Sequence, residues 1–161
     1  MNQTHIHLLI THLPIFGSIL GGLVLLHGIG VRSNQTKIAA YYIFLLSSIG
    51  AGIAYFTGEA AEETVENIQG VVEASIKQHE EFALFAFISL IILGFTSLIG
   101  LFLTWRNSAL TSTVAFIILF ISFLSFVIVA RTGYLGGQIR HTEITNGTIV
   151  PTENLENEKD D

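Results

Sequence analysis

The sequence contains no cysteine. This absence excludes disulfide bonds, thiolate-bound metal ions, iron–sulfur clusters and the covalent attachment of c-type haem. Any metal ion or cofactor must therefore be held by histidine, carboxylate, hydroxyl or backbone groups. Only two prolines interrupt the chain, so long uninterrupted helices are possible.

Charged residues are also scarce, because they make up 12% of the chain against about 25% in a soluble domain. The mean hydropathy is +0.62. Four stretches lack Asp, Glu, Lys and Arg, and each is long enough to cross a hydrocarbon core of about 30 Å: 12–31, 38–58, 82–105 and 107–130. We expect an all-α fold, a four-helix transmembrane bundle made of two helical hairpins over 1–144, followed by a polar acidic C-terminal tail over 145–161.

Several functional classes lack their sequence signatures here. The formal net charge of −6 argues against a nucleic-acid partner, since such surfaces are basic. No nucleophile elbow, phosphate loop or nucleotide fingerprint is present, and no span carries the mid-membrane acid typical of a proton-coupled transporter. The sequence therefore favours a redox electron-transfer role over substrate turnover.

The basic loops predict the orientation in the membrane. Arg32 and Lys37 lie between spans one and two, and Arg106 lies between spans three and four. Short loops rich in Lys and Arg stay cytoplasmic, so both termini are expected on the outer side, which is the periplasm for a bacterial inner membrane. Arg131 and Arg140 lie near the opposite side and weaken this bias.

The expected topology gathers most of the histidines at the outer face. His5, His7 and His12 open the first span, His79 opens the third, and His141 follows the fourth. A polar ring needs a partner once it leaves water. His12 is the strongest candidate ligand because it lies at the start of the apolar run, and His7 points about 140° away from it on an ideal helix. His79 is the expected partner, with His7 and His141 as alternatives.

Carboxylates and arginines lie beside these histidines in the expected topology. Glu59 and Glu63 fall on one face if the second span continues as a helix, and Glu80 follows His79 directly. Such charge runs are usually solvated surfaces, although these three can also act as metal ligands. Arg131 and Arg140 can bind a haem propionate, a lipid phosphate or a nearby glutamate.

Glycines mark two further features. Gly17 and Gly21 have the GxxxG spacing that allows close helix packing. Gly133, Gly136 and Gly137 lie where the fourth helix is expected to stop. A Thr-Gly pair occurs near the outer end of both span two, at Gly58, and span four, at Gly133, which suggests that these two spans end alike.

Four motifs together resemble the DUF2231 family of four-helix bacterial membrane proteins: HIHLLITHLPIFG, TGEAAEE, the QHEE run and TGYLGGQIRH. The family pattern of a histidine, four residues and His-x-Pro corresponds to His7 and His12 with Pro14. Family members usually have a proline directly after the first histidine, where this chain has Leu8. The resemblance covers about residues 5–143 and implies the four-helix fold, with haem or metal binding suggested by the recurrent histidines.

Three functions are compatible with these features. The first is b-type haem held by His12 and His79, with His7 or His141 as alternatives and Arg131 or Arg140 at the propionates, serving membrane electron transfer. The second is a non-haem transition metal held by His12, His79 and His141 with Glu59, Glu63 or Glu80. The third is a cofactor-free assembly subunit of a larger membrane complex.

The sequence ranks haem first, because a membrane bundle with histidines at one face is a natural container for it. The acids near the histidines favour a metal ion instead, since carboxylates repel propionates. The expected partners are the lipid bilayer, together with other membrane redox subunits or a second copy in a homo-oligomer.

Overall fold

The structure is a computed structural model that describes residues 3–66, 71 and 73–140. Four of its segments are long and apolar enough to cross a membrane. The expected all-α four-helix bundle is therefore confirmed. The helices are α1 (Gln3–Ile10), α2 (His12–Gly30), α3 (Asn34–Glu66), α4 (Glu73–Trp105) and α5 (Thr111–Arg140), of which α1 and α2 together form the first span.

A break at Thr11 separates α1 from α2. Pro14 has no N–H to donate to the carbonyl of Ile10, and its ring crowds that carbonyl, so the helix is interrupted one turn before the proline. The Thr11 hydroxyl donates to the carbonyl of Leu8 at 3.1 Å instead of capping α2. The first span thus begins at Gln3 and runs through this break to Gly30, rather than starting afresh at Thr11.

The helices pack as a closed ring. α2 packs against α3, α3 against α4, α4 against α5, and α5 returns to α2. Short turns join α2 to α3 and α4 to α5, and each contains one residue with positive φ, Arg32 at 56° and Asn107 at 49°. The first span and α4 therefore lie diagonally across the bundle.

Glycines of α2 and α4 receive the larger side chains of α3. A Cβ on Gly21 would lie 2.5 Å from the ring of Phe44, and a Cβ on Gly94 would lie 2.5 Å from Oγ of Ser48. Gly17 faces Ser47 in the same way. The GxxxG spacing thus serves packing between helices of this chain, which confirms its reading as a packing signal.

The bundle has two chemically different ends. The basic end carries Arg32 and Lys37 near the α2–α3 turn and Arg106 in the α4–α5 turn. The histidine end carries His7, His79 and the acidic last turns of α3. Because neighbouring spans are antiparallel, the two turns at the basic end lie on the same side of the membrane.

The expected end of the fourth helix was wrong. α5 continues through all three glycines to Arg140. A Cβ on Gly133 would lie 3.0 Å from Cδ1 of Ile15, and one on Gly136 would lie 3.0 Å from the ring of His79. These glycines provide space for neighbouring spans, and they do not stop the helix.

The absence of cysteine allows the topology to be tested with single reporters at exposed positions. Gln35→Cys and Ala109→Cys lie at the basic end, whereas Ala74→Cys lies in the first turn of α4 at the other end. A membrane-impermeant thiol reagent should label the first two from one side of sealed vesicles and the third only from the opposite side. Labelling of all three from the same side would contradict the antiparallel arrangement.

Candidate cofactor site at the histidine end

Two imidazoles from different spans make the same contact with the span that follows them. Nδ1 of His7 lies 2.8 Å from the carbonyl oxygen of Ala54 on α3, and Nδ1 of His79 lies 3.0 Å from that of Thr132 on α5. A carbonyl oxygen only accepts hydrogen bonds, so each imidazole donates its Nδ1–H. In the neutral ring the lone pair then resides on Nε2, which is the atom able to bind a metal.

A glycine follows each accepting carbonyl by one helical turn. Gly58 comes four residues after Ala54, and Gly136 comes four residues after Thr132. The carbonyl of a helical residue points toward the N–H of the residue four positions later, so a second donor must approach beside that residue. A Cβ on Gly58 would lie 3.6 Å from Cε1 of His7, and a Cβ on Gly136 would lie 3.0 Å from Cε1 of His79. The glycine at Gly136 is therefore closely fitted to its imidazole.

The two halves of the bundle are thus alike at this end. The Thr-Gly pairs in the sequence matched Gly58 with Gly133, whereas the contacts match Gly58 with Gly136. Spans two and four do resemble each other here. In span four, however, the glycine equivalent to Gly58 is Gly136, three residues after the Gly133 that the Thr-Gly pairs indicated.

His7 and His79 come from diagonally opposite spans and lie at the same end of the bundle. Both are half-buried. Among residues 3–66 and 73–140, no hydrogen-bond partner reaches Nε2 of either ring. Two imidazoles with available lone pairs therefore lie in the outermost turns of the bundle interior.

Further contacts hold α1 against α3. The Thr57 hydroxyl lies 3.5 Å from Nδ1 of His7, and the Thr4 hydroxyl donates to the carbonyl of Ala60 at 3.3 Å. On the other side, the Thr132 hydroxyl donates to the carbonyl of Phe82 at 3.2 Å. These bonds fix the two helix pairs that carry the imidazoles.

His12 occupies a different position from the one that its place in the sequence suggested. It is exposed, its Nδ1 bonds the carbonyl of Leu8 in the preceding turn at 3.1 Å, and its ring stacks on Phe16. His5, seven residues earlier, is exposed as well. The geometry therefore favours His7 over His12 as the ligand from the first span.

The predicted carboxylate ligands lie on the surface. Glu59, Glu63 and Glu80 are all exposed. The described part of the chain contains no group of three or more His, Asp or Glu side chains placed to hold a metal ion. His141 lies outside the described residues, so its part in the predicted metal set stays a prediction.

Arg131 lies beside the His79 contact, one residue before Thr132. Its guanidinium carbon lies 5.9 Å from the ring centre of Phe82 and 5.4 Å from that of Tyr134, and the residue is exposed. Cation–π contacts of this kind hold the guanidinium while leaving its N–H groups available to an anion. Arg140 is the last residue of α5, and its side chain is outside the described set.

The sequence also carries a signal for the interior positions. Pro14, Gly21 and Gly28 follow His7 at seven-residue steps, and all three are buried. Ala86, Leu93 and Gly100 follow His79 in the same way and are buried too. A seven-residue step returns nearly to the same helical face, so small residues in phase with a histidine indicate that it faces inward.

A groove of about 470 Å³ lies between α2 and α5, away from the imidazoles. Ser18, Gly22 and Ser122 line it together with leucine and phenylalanine side chains. No histidine or charged residue lines it.

Comparisons with protein-family models, curated proteins and solved structures give no match. The resemblance to the DUF2231 family therefore stays a prediction from the four motifs.

The glycine beside His79 can be tested against its neighbour. Gly136→Ala should displace the imidazole and weaken its bond to Thr132, because the new Cβ would lie 3.0 Å from Cε1. Gly137→Ala is the matched control, since no atom lies within 4 Å of its Cβ position. Imidazole ¹⁵N NMR in micelles should show the Nδ1–H form of His79 in the wild type and the control, with a changed signal in Gly136→Ala. An Nε2–H form in the wild type would contradict the assignment.

Proposed function

We propose that the protein binds b-type haem between His7 and His79 and carries electrons within the membrane. The observation that supports this function is the pair of imidazoles on diagonal spans, each with Nδ1–H committed to a carbonyl and Nε2 left as a donor atom. His12 and His79 are the haem ligands expected from the sequence, and in this proposal His12 is replaced by its alternative, His7.

The donor set suits haem better than a bare metal ion. A porphyrin supplies four nitrogen ligands of its own, so the protein needs to add only one or two axial imidazoles. A non-haem transition metal usually takes three or more protein ligands, and the described residues offer no such group. Haem, when bound, would supply one-electron redox chemistry.

The remaining residues of the site have supporting roles in this proposal. The carbonyls of Ala54 and Thr132 orient the rings and increase the basicity of Nε2, as second-shell acceptors do for ligating histidines. Arg131, held over Phe82 and Tyr134, is the candidate partner for a propionate. Glu59, Glu63 and Glu80 are exposed to solvent, where screening weakens the repulsion that argued against haem.

We further propose that the histidine end faces the outside of a bacterial inner membrane. The exposed cations in the two turns at the basic end support this orientation through the preference of such loops for the cytoplasm. In intact cells, Ala74→Cys should then react with an impermeant reagent while Gln35→Cys does not. The electron donor and acceptor would be other membrane redox components, and membership of the DUF2231 family is part of the same proposal.

Substitution of the ligands tests the haem proposal directly. The wild type, purified from membranes of haem-sufficient cells, should show a Soret band that shifts on reduction. His7→Ala and His79→Ala should each reduce the haem content at least tenfold, because each removes an axial ligand. His12→Ala and His27→Ala are the controls, since both residues are exposed, and they should retain the spectrum.

Three results would contradict this proposal. Equal haem content in all four variants would remove His7 and His79 from the site. A colourless protein with a stoichiometric metal by elemental analysis would favour the non-haem alternative. A colourless and metal-free protein would favour the assembly subunit.

A further inference from the structure

The basic end of the bundle contains cations without acids. The chain has no Asp or Glu in residues 1–58 or 82–142, so every acid of the described helices belongs to the histidine end. Arg32 and Arg106 are exposed at the basic end, where solvent and lipid headgroups can surround them. The third cation, Lys37, is in a different environment.

Lys37 is buried, with 4% of its surface exposed. It lies in the first turns of α3, where Gly28 of α2 packs against its backbone, so that a Cβ on Gly28 would lie 3.0 Å from the Lys37 nitrogen. Its backbone N–H donates to the carbonyl of Ser33 at 3.1 Å, and its ammonium group has no ion-pair or hydrogen-bond partner among the residues that the structure describes. The Nζ atom is not one of the buried polar atoms without a partner, so the stem of the side chain is buried while the ammonium group reaches the protein surface. Lysines inside membrane proteins normally have an anionic partner or reach the interface in this way.

No acid of the described bundle can be that partner. Glu59 is the first acid after Lys37, and it lies about six turns further along the same helix, at the histidine end. Long side chains on a helix lean toward its N-terminus, which for α3 is the basic end. The ammonium group is therefore directed at the membrane interface, where lipid phosphates lie.

A second polar group on the same face also lacks a partner. Tyr41 follows Lys37 by one helical turn and is fully buried. Its hydroxyl forms no hydrogen bond of good geometry among the described residues, because the neighbouring Thr104 hydroxyl donates to the carbonyl of Gly100 at 2.7 Å. A buried polar atom without a partner usually indicates a missing water or ligand. This hydroxyl and the unpaired ammonium group of Lys37, in neighbouring turns, point to a polar ligand at the basic end.

We propose that the basic end binds the phosphate of a phospholipid headgroup, with Lys37 as its buried anchor and water extending from it to Tyr41. The described helices have no acid at this end, so the phosphate supplies the negative charge. Arg32 and Arg106 favour anionic lipids around it. This site is separate from the imidazole pair and does not depend on haem.

The test compares two lysines of the full-length chain. After purification in a detergent without phosphate, native mass spectrometry should find one retained phospholipid per chain in the wild type. Lys37→Met keeps the length and apolar stem of the side chain but should lose this lipid, whereas Lys37→Arg should retain it. Lys77→Met is the matched control, because Lys77 is exposed at the other end and pairs with Glu73 at 2.7 Å.

The source of the phosphate is tested on the wild type alone, which keeps the proposal testable even if Lys37→Met does not fold. Phosphatidylglycerol added to delipidated protein should raise the thermal unfolding midpoint, and inorganic phosphate at equal concentration should not. An equal effect of inorganic phosphate would overturn the lipid assignment. Retention of the lipid by Lys37→Met, or its absence from the wild type, would overturn the site.

Discussion

An imidazole placed inside a membrane bundle must find an acceptor for its N–H. Glu59, Glu63 and Glu80 lie at the same end of the bundle as His7 and His79, but they are exposed and do not accept from these Nδ1 atoms. His7 and His79 each donate instead to a backbone carbonyl of the following span. That choice fixes the position of the proton on Nδ1 and leaves Nε2 as the donor atom, on which the proposed function depends.

Glycines accompany these contacts and also set the packing of the bundle. A helical carbonyl already accepts a bond from the residue four positions later, so a second donor approaches beside that residue. Gly58 and Gly136 occupy these positions at the histidine end, where Gly136 is closely fitted to its imidazole, while Gly21 and Gly94 allow α3 to pack closely against its neighbours. Lipid gives helices no hydrophobic reason to associate, so close contact and interhelical hydrogen bonds hold the bundle together.

Much of the fold could be predicted from the sequence, because four charge-free stretches of sufficient length allow few alternatives. The identity of the inward histidine could not be read from hydrophobicity, since the first span is apolar on every side. Helix geometry separated His7 from His12 but did not say which face was interior. Small residues at seven-residue steps from His7 contain that information, and Gly136 marks the acceptor one turn before it. A carbonyl acceptor has no side-chain signature of its own, so Ala54 and Thr132 were not predictable individually.

The two ends of the bundle carry different chemical groups, with imidazoles at one end and a lysine with a buried stem at the other. The most direct measurement of the central claim is the electron paramagnetic resonance spectrum of the oxidised, haem-loaded protein. Two axial imidazoles predict a low-spin ferric signal in the wild type that is lost when either His7 or His79 is replaced, with any haem that remains bound becoming high-spin. A high-spin signal in the wild type, or a low-spin signal that survives both replacements, would contradict ligation by this pair.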